Sequence, residues 1–457
     1  MVLHQLFFAL LLIFLPTQIG YHVWPDWAMV LGRRVDYLAP TVYVTDILLL
    51  LTVGSWFIER TRVIPANEPR SIFYFLRTGF RVSSKLRINM PGMTIGLLLL
   101  CTFICINVVF AKNQPVALYA WIKAFEYAGL GWYIIKTKPT FSFVIWYLSF
   151  GILYSSIIAI AQFLLQHSIG VPLWFLGERT FFVDTPGIAR VALRWSLGFG
   201  YWDFGLRMRP YATFPHPNVL GGFLAMTLPL VIIQLSLPCR QAGNNPIRQF
   251  SKKIFYVATL FLGYIALALT FSRSAWIVST VGVFICIKYL LVRKKPTSFF
   301  PFMLVAVLLA LLVFFISRSF SLNDESIVVR KELNASAIKL FAHSPLFGVG
   351  LGNFLVELPK ALPSRQIYFL QPVHNIYLLV LSETGLIGFL LFTGCIFYVF
   401  LRKFWQRRVY KKTHCALNIW HGALGILLIL GLVDHYPLTL QQGQLLFTLF
   451  TALTIYI

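Results

Sequence analysis

Apolar residues fall along this chain in long runs, broken by short stretches where Lys, Arg, Pro and Asn collect. A helix that spans a bilayer takes roughly 20 predominantly apolar residues. Twelve runs fit: 3–20, 39–57, 94–111, 115–135, 140–165, 217–237, 253–271, 274–292, 298–317, 374–401, 415–433 and 439–457. The pattern predicts an all-α polytopic membrane protein of about 12 transmembrane helices, with external loops carrying short helices. The first run has the size of a signal-peptide core but lacks a basic start and a small-residue cleavage site, and further spans follow it. It reads as a retained helix.

Two connections are too long for simple turns. Residues 166–216 mix Trp174, Phe175, Phe181, Phe182, Trp195, Tyr201 and Trp202 with Arg and Gly, a composition suited to the membrane interface. Residues 318–373 are more polar, and DESIVVRKELNASAIKLFAH predicts a helix over about 324–343. Acids open it, and Ile327, Val328, Leu333, Ile338 and Leu340 recur at helical intervals. The stretch RSIFYFLRTGFRVSSKLRI (70–88) suits a helix lying on an anionic leaflet, or a plain topogenic loop. With no internal repeat and no hydrophilic linker, residues 1–457 read as a single integral membrane domain.

Composition agrees: 58% hydrophobic residues, 12% charged residues and a mean hydropathy of +0.76 exclude a soluble globular fold of this length. The net charge of +24 does not point to nucleic acid, because the basic residues are sorted between alternating loops. With the N-terminus inside, the loops at 58–93, 136–139, 238–253, 288–297 and 402–414 hold 23 of the 39 Lys and Arg and only two acids, Glu59 and Glu68. Both termini are then expected on the cytoplasmic side, with 21–38, 166–216, 318–373 and 434–438 outside. The cysteines (101, 105, 239, 286, 395, 415) avoid the large external loops, so no disulfide framework or thiolate metal site is expected.

Ionisable groups at span ends are costly and are the first places to seek function. Four clusters stand out, and the expected topology puts all of them on the outer side. RMRPYATFPHPNVLGGF holds Arg207, Arg209, His216 and Asn218. TFSRSAW places Arg273 in a two-residue turn between spans. PVHNIYLLVLSETGLIGF opens a span with His374 and Asn375, with Tyr377 one turn on and Glu383 deeper. LVDHYPLTLQQG carries Asp434 and His435 at a helix end.

An Arg in a nearly dry turn needs an anion or carbonyl partners, and its planar fork suits phosphate or carboxylate. A His in the first turn of a helix feels the positive dipole end, stays neutral and can accept a proton. The plainer readings are as follows. Arg190, Arg194 and Arg207 serve as headgroup anchors. His216, His343 and His435 bond a nearby carbonyl. Glu383 partners an Arg or the backbone. The glycines of LFGVGLGNF (346–354) make a tight re-entrant turn rather than an anion nest. No Walker A run, HExxH or CxxC pair occurs, nor an acidic pair spaced for a metal-bound nucleotide sugar.

The run HNIYLLVLSETGLIGF, preceded by PLFGVGLGNF and by a helix bearing Arg330, resembles the signature of the O-antigen ligase and O-antigen polymerase superfamily. ATFPHPNVLGGF and TFSRSAW are similar to its upstream markers, so that the likeness runs in order over about 205–445. This resemblance implies a GT-C-like glycosyltransferase in the bacterial cytoplasmic (inner) membrane, working on the periplasmic side with a glycan on undecaprenyl pyrophosphate. It implies His374 as catalytic base and Arg209, Arg273 and Arg330 as donor pyrophosphate ligands. His216, Asn218, Asn375, Tyr377, Glu383 and Asp434 are expected to support them.

No metal ion and no cofactor are expected. The expected partners are the lipid-linked glycan, an acceptor glycolipid or glycan, and membrane lipids, with no nucleic acid. Within the family a ligase is the first expectation; an O-antigen or exopolysaccharide polymerase and a protein O-oligosaccharyltransferase are the alternatives. A transporter or flippase would also suit twelve spans, but the polar groups crowd one outer face rather than the midplane.

Overall fold

The computed structural model of the chain describes residues 1–62, 90–197, 200–237, 246–292, 325–362, 370–407 and 416–456. The expected span 298–317 and the basic aromatic stretch 70–88 lie outside the described residues. Every other expected span contains a helix: α1 (Leu3–Phe14), α2 (Val44–Arg62), α3 (Met90–Val109), α4 (Gln114–Thr137), α5 (Phe141–Leu165), α6 (Pro217–Ser236), α7 (Pro246–Leu269) and α8 (Arg273–Val292) in the first two thirds. α9 (Glu325–His343), α10 (Phe354–Ala361), α11 (Ile376–Arg407), α12 (Ala416–Leu430), the single turn α13 (Tyr436–Thr439) and α14 (Gln441–Tyr456) complete the set.

Among the described residues five helices are both long and apolar enough to cross a membrane: α5, α6, most of α7 (Gln249–Leu269), most of α8 (Arg273–Leu290) and Ile376–Arg402 of α11. The expected twelve are thus not reached by this measure. α1 is shorter than its 3–20 run, because Pro16 lacks the amide that another helical turn would use. The Thr17 hydroxyl instead donates to Phe14 O at 2.7 Å.

The fold is mostly helical but not purely so. Gly20–His22 (β1) pairs antiparallel with Thr41–Tyr43 (β4), and Met29–Val30 (β2) with Arg33–Arg34 (β3). The expected interfacial loop at 166–216 holds a 3-10 helix, Val171–Leu176, and a two-stranded antiparallel ribbon, Arg190–Leu197 (β5) with Gly200–Met208 (β6). Aromatic and β-branched residues suit a strand as well as an interface. Cross-strand pairing from Arg190↔Met208 to Leu197↔Gly200 settles which they form.

α6 is the central helix, buried from Pro217 to Gln234 except at Asn218 and packed on α5, α7, α8 and α12. Its Gly222 lets the chain pass so close to Tyr436 that a methyl group there would overlap the tyrosine hydroxyl. Gly222→Ala is expected to cost about 1–3 kcal/mol by overpacking, read as an earlier thermal transition in detergent. An unchanged transition would show that this contact is slack.

α11 is broken at Gly385, whose φ of 66° and ψ of −170° are not helical. The glycine turn at 346–352 fills the break. Val349 N and Gly350 N donate to Ser382 O and Glu383 O, both at 3.0 Å, and Leu386 N donates to Pro345 O at 2.8 Å. Gly348, Gly350 and Gly352 all have positive φ, which only glycine adopts cheaply. The tight-turn reading of this stretch therefore holds.

Asn107 of α3 locks the turn in place. Its Nδ2 donates to Phe347 O and Glu383 O, while its Oδ1 accepts from Trp121 Nε1 and Leu351 N, at 2.9–3.1 Å. Asn107→Leu would leave these buried groups unpaired and is expected to destabilise the fold by about 3 kcal/mol or more. Melting like that of the wild type would refute this account.

Candidate functional site

A cavity of about 1030 Å³ is walled by α4, α11, α14 and the segments before α6 and α11. His216, Asn218, His374, Asp434 and His435 line part of it, and Trp132, Phe392, Phe447 and Ala452 give it apolar wall. The cavity therefore joins a polar, ionisable region to hydrocarbon-like surface.

Local backbone structure fixes each polar group. His216 is the N-cap of α6, and its Nδ1 accepts the Asn218 amide at 3.1 Å, so its partner is a backbone donor and not a carbonyl. His374 sits two residues before α11. Asn375 holds that helix start by accepting from the amides of Tyr377 at 2.9 Å and Leu378 at 3.1 Å. Asp434 and His435 follow α12, and Asp434 Oδ1 accepts the His435 amide at 3.0 Å. His435 Nδ1 lies 2.6 Å from Thr439 Oγ1, again a partner other than a carbonyl.

These loops converge. The rings of His374 and His435 meet edge to face with centroids 5.0 Å apart. Ligand-type atoms of His374, Asp434 and His435 all lie within 4.8 Å of one another. Burial, aided by the Arg330 guanidinium, pushes His374 down to about 4. Burial and then Arg209 push His216 down to about 3. His435 is driven far below the usual imidazole range by burial and by the other two histidines. Asp434 rises to about 6 through burial, against the pull of Arg330. At neutral pH the site therefore holds neutral imidazoles beside a largely ionised carboxylate.

Arg330 acts electrostatically on all four groups. Its position follows from α9, where Val329, Leu333, Ala337 and Leu340 form a buried stripe at helical spacing. That stripe fixes the rotation of the helix and turns the neighbouring Arg330 toward the histidines. Arg209 is held by Thr270 O on Nε and Asn218 Oδ1 on Nη2, both at 2.6 Å.

Arg273 opens α8 three residues after Thr270; it is the first residue of the helix rather than part of a two-residue turn, and like Arg209 and Arg330 it does not line the cavity. Arg207 lies in β6, paired with Val191. The structure thus brings His374, Asp434 and His216 within reach of the Arg330 charge, with Arg209 bonded to Asn218 beside His216.

Three expected supporting residues serve the backbone. Glu383 Oε1 accepts the Phe354 amide at 3.2 Å, and the Tyr377 hydroxyl donates to Leu428 O at 3.1 Å. Asn375, besides capping α11, donates to Leu432 O at 3.1 Å and so ties α11 to the segment bearing Asp434.

One constellation is not among the residues the sequence points to. Lys123 Nζ sits 2.7 Å from both Asp46 Oδ1 and Glu126 Oε2, and Gln441 Nε2 bonds Asp46 and Thr45. Lys123 and Gln441 also line the cavity. The signal was present: charges inside the apolar runs 39–57 and 115–135 rarely persist without paired partners.

No curated protein matches the chain. Residues 258–393 match the family described as O-antigen ligase. The matched segment runs from α7 into α11 and contains Arg273, Arg330, His374 and Glu383. That segment makes the chain similar to the O-antigen ligase superfamily, and its several apolar helices mark it as a membrane protein.

Proposed function

We propose that the protein is a metal-independent, inverting O-antigen ligase, moving a glycan from undecaprenyl pyrophosphate to an acceptor hydroxyl on the outer face of the bacterial inner membrane. The observation that carries this reading is the convergence of a neutral His374 with Asp434 and His435 on a cavity that also offers apolar wall, with the Arg330 charge felt at all three. A polyprenyl chain suits that wall, and guanidiniums suit its pyrophosphate.

In this mechanism the acceptor oxygen attacks the anomeric carbon while the bond from that carbon to the pyrophosphate oxygen breaks. The acceptor proton passes to His374, and the imidazolium that forms is stabilised by the carboxylate of Asp434. Charge gathers on the leaving pyrophosphate, where Arg330 and Arg209 offset it, with Arg273 behind them. A single displacement inverts the sugar configuration.

The test is reconstitution of the purified protein with an undecaprenyl-pyrophosphate glycan and, separately, a lipid A core glycolipid, a free glycan and a protein acceptor. Transfer to the glycolipid with an inverted linkage is expected, at a rate that added chelator leaves unchanged. Transfer to the growing glycan alone would make the protein a polymerase, and a retained linkage would refute the one-step mechanism.

A further inference from the structure

His374 has a surrounding that proton transfer alone does not require. Its Nδ1 and the Asp434 Oδ2 are both buried without a hydrogen-bond partner among the described residues. Asp434 is only 3% exposed, and a carboxylate oxygen left without a donor at such depth is costly.

His435 adds a third donor atom. Thr439 Oγ1 lies 3.2 Å from His435 O and 2.6 Å from His435 Nδ1; with the hydroxyl proton on the carbonyl, the ring Nδ1–H donates to Oγ1. The lone pair of His435 is then on Nε2. Metal-binding imidazoles are commonly held in this way, with the second nitrogen donating to a fixed oxygen.

From these atoms we propose that His374, Asp434 and His435 form a site for a borderline transition-metal ion such as Zn²⁺, and that its occupation switches the enzyme off. Zinc bonds nitrogen and carboxylate oxygen at about 2.0–2.2 Å, which puts tetrahedral donors about 3.5 Å apart. The three residues, with donors within 4.8 Å, need side-chain rotations of about one ångström to close on an ion. Two imidazoles and one carboxylate select zinc-like ions over Mg²⁺ or Ca²⁺, which want oxygen ligands. The nearby Arg330 strengthens that choice, because its charge opposes a cation held by electrostatics alone.

The inhibition follows from electron counting. A neutral imidazole has one lone pair, and if His374 gives it to the metal, none remains to accept the acceptor proton. This consequence rests on the transferase reading given above, whereas binding of the metal does not.

Purified protein in nanodiscs is titrated with Co²⁺, followed by its visible absorption, and with Zn²⁺ by equilibrium dialysis. One ion per chain is expected, and Asp434→Asn and His435→Gln should each weaken binding by at least about tenfold. A Zn²⁺-induced rise in the wild-type melting temperature reports the site even if a variant misfolds. Absence of saturable binding in the wild type, or undiminished binding in both folded variants, overturns the site.

Transfer activity is then followed as Zn²⁺ is added and removed by chelator. Reversible loss supports the switch, and full transfer at saturating metal overturns it. Intact metal binding in a protein that transfers to no acceptor when metal-free would instead sink the transferase reading and leave the site standing.

Discussion

His374→Ala is expected to lower glycan transfer by about 100- to 10,000-fold, the range over which a positioned general base contributes. His374 is held before α11 by the Asn375 cap, in contact with His435 and close to Asp434. Burial and Arg330 keep its ring neutral, at about 4, so that it is unprotonated at working pH. Removing it takes away the proton acceptor but none of the guanidiniums, so binding of the lipid-linked donor should survive. Measured on reconstituted enzyme, the variant is expected to retain donor affinity and lose turnover. A variant with wild-type turnover would remove His374 from the chemistry.

Arg330→Gln is expected to cost about 100- to 1000-fold in turnover, as for loss of one preorganised donor to developing negative charge. Arg330 lies on α9, far in sequence from the other site residues, yet its charge is felt at His216, His374, Asp434 and His435 alike. Gln keeps a hydrogen-bonding side chain of similar reach without the charge. The loss is expected mainly in turnover, because charge on the leaving pyrophosphate grows toward the transition state. The same change at Arg190, exposed and bonded to Thr185 O at 3.3 Å, should leave transfer near wild type. Equal small losses at both positions would mean that Arg330 acts only through general surface charge.

Much of the site was legible because its residues sit at ends of apolar runs, where polarity stands out against hydrocarbon. His374, His216 and Asp434 stand out in that way, whereas Arg330, inside a polar external helix, is pointed to only by the family resemblance. The Lys123, Asp46 and Glu126 cluster was equally visible as charge inside apolar runs. Its pairing is not legible there, because the two runs give no hint that α2 and α4 meet.

The aromatic and basic residues of 190–208 suit an interfacial loop as well as a ribbon. Only the hydrogen-bonded register distinguishes them. The expected carbonyl partner of His435 is not what the structure holds: Thr439 takes its Nδ1 and its ring packs on His374.

The sequence by itself determined that the chain lives in lipid and where its helices run, with the helix bearing Arg330 among them, since hydrophobic run length and helical period are local properties. Which polar ends share one cavity was decided only by the tertiary structure. Apolar helices present much the same hydrocarbon surface to one another as to lipid, so periodicity names a buried face without naming its partner. Specific contacts made that choice here: the glycine turn seated in the break at Gly385, Gly222 passing against Tyr436, and Asn375 bonded to Leu432 O.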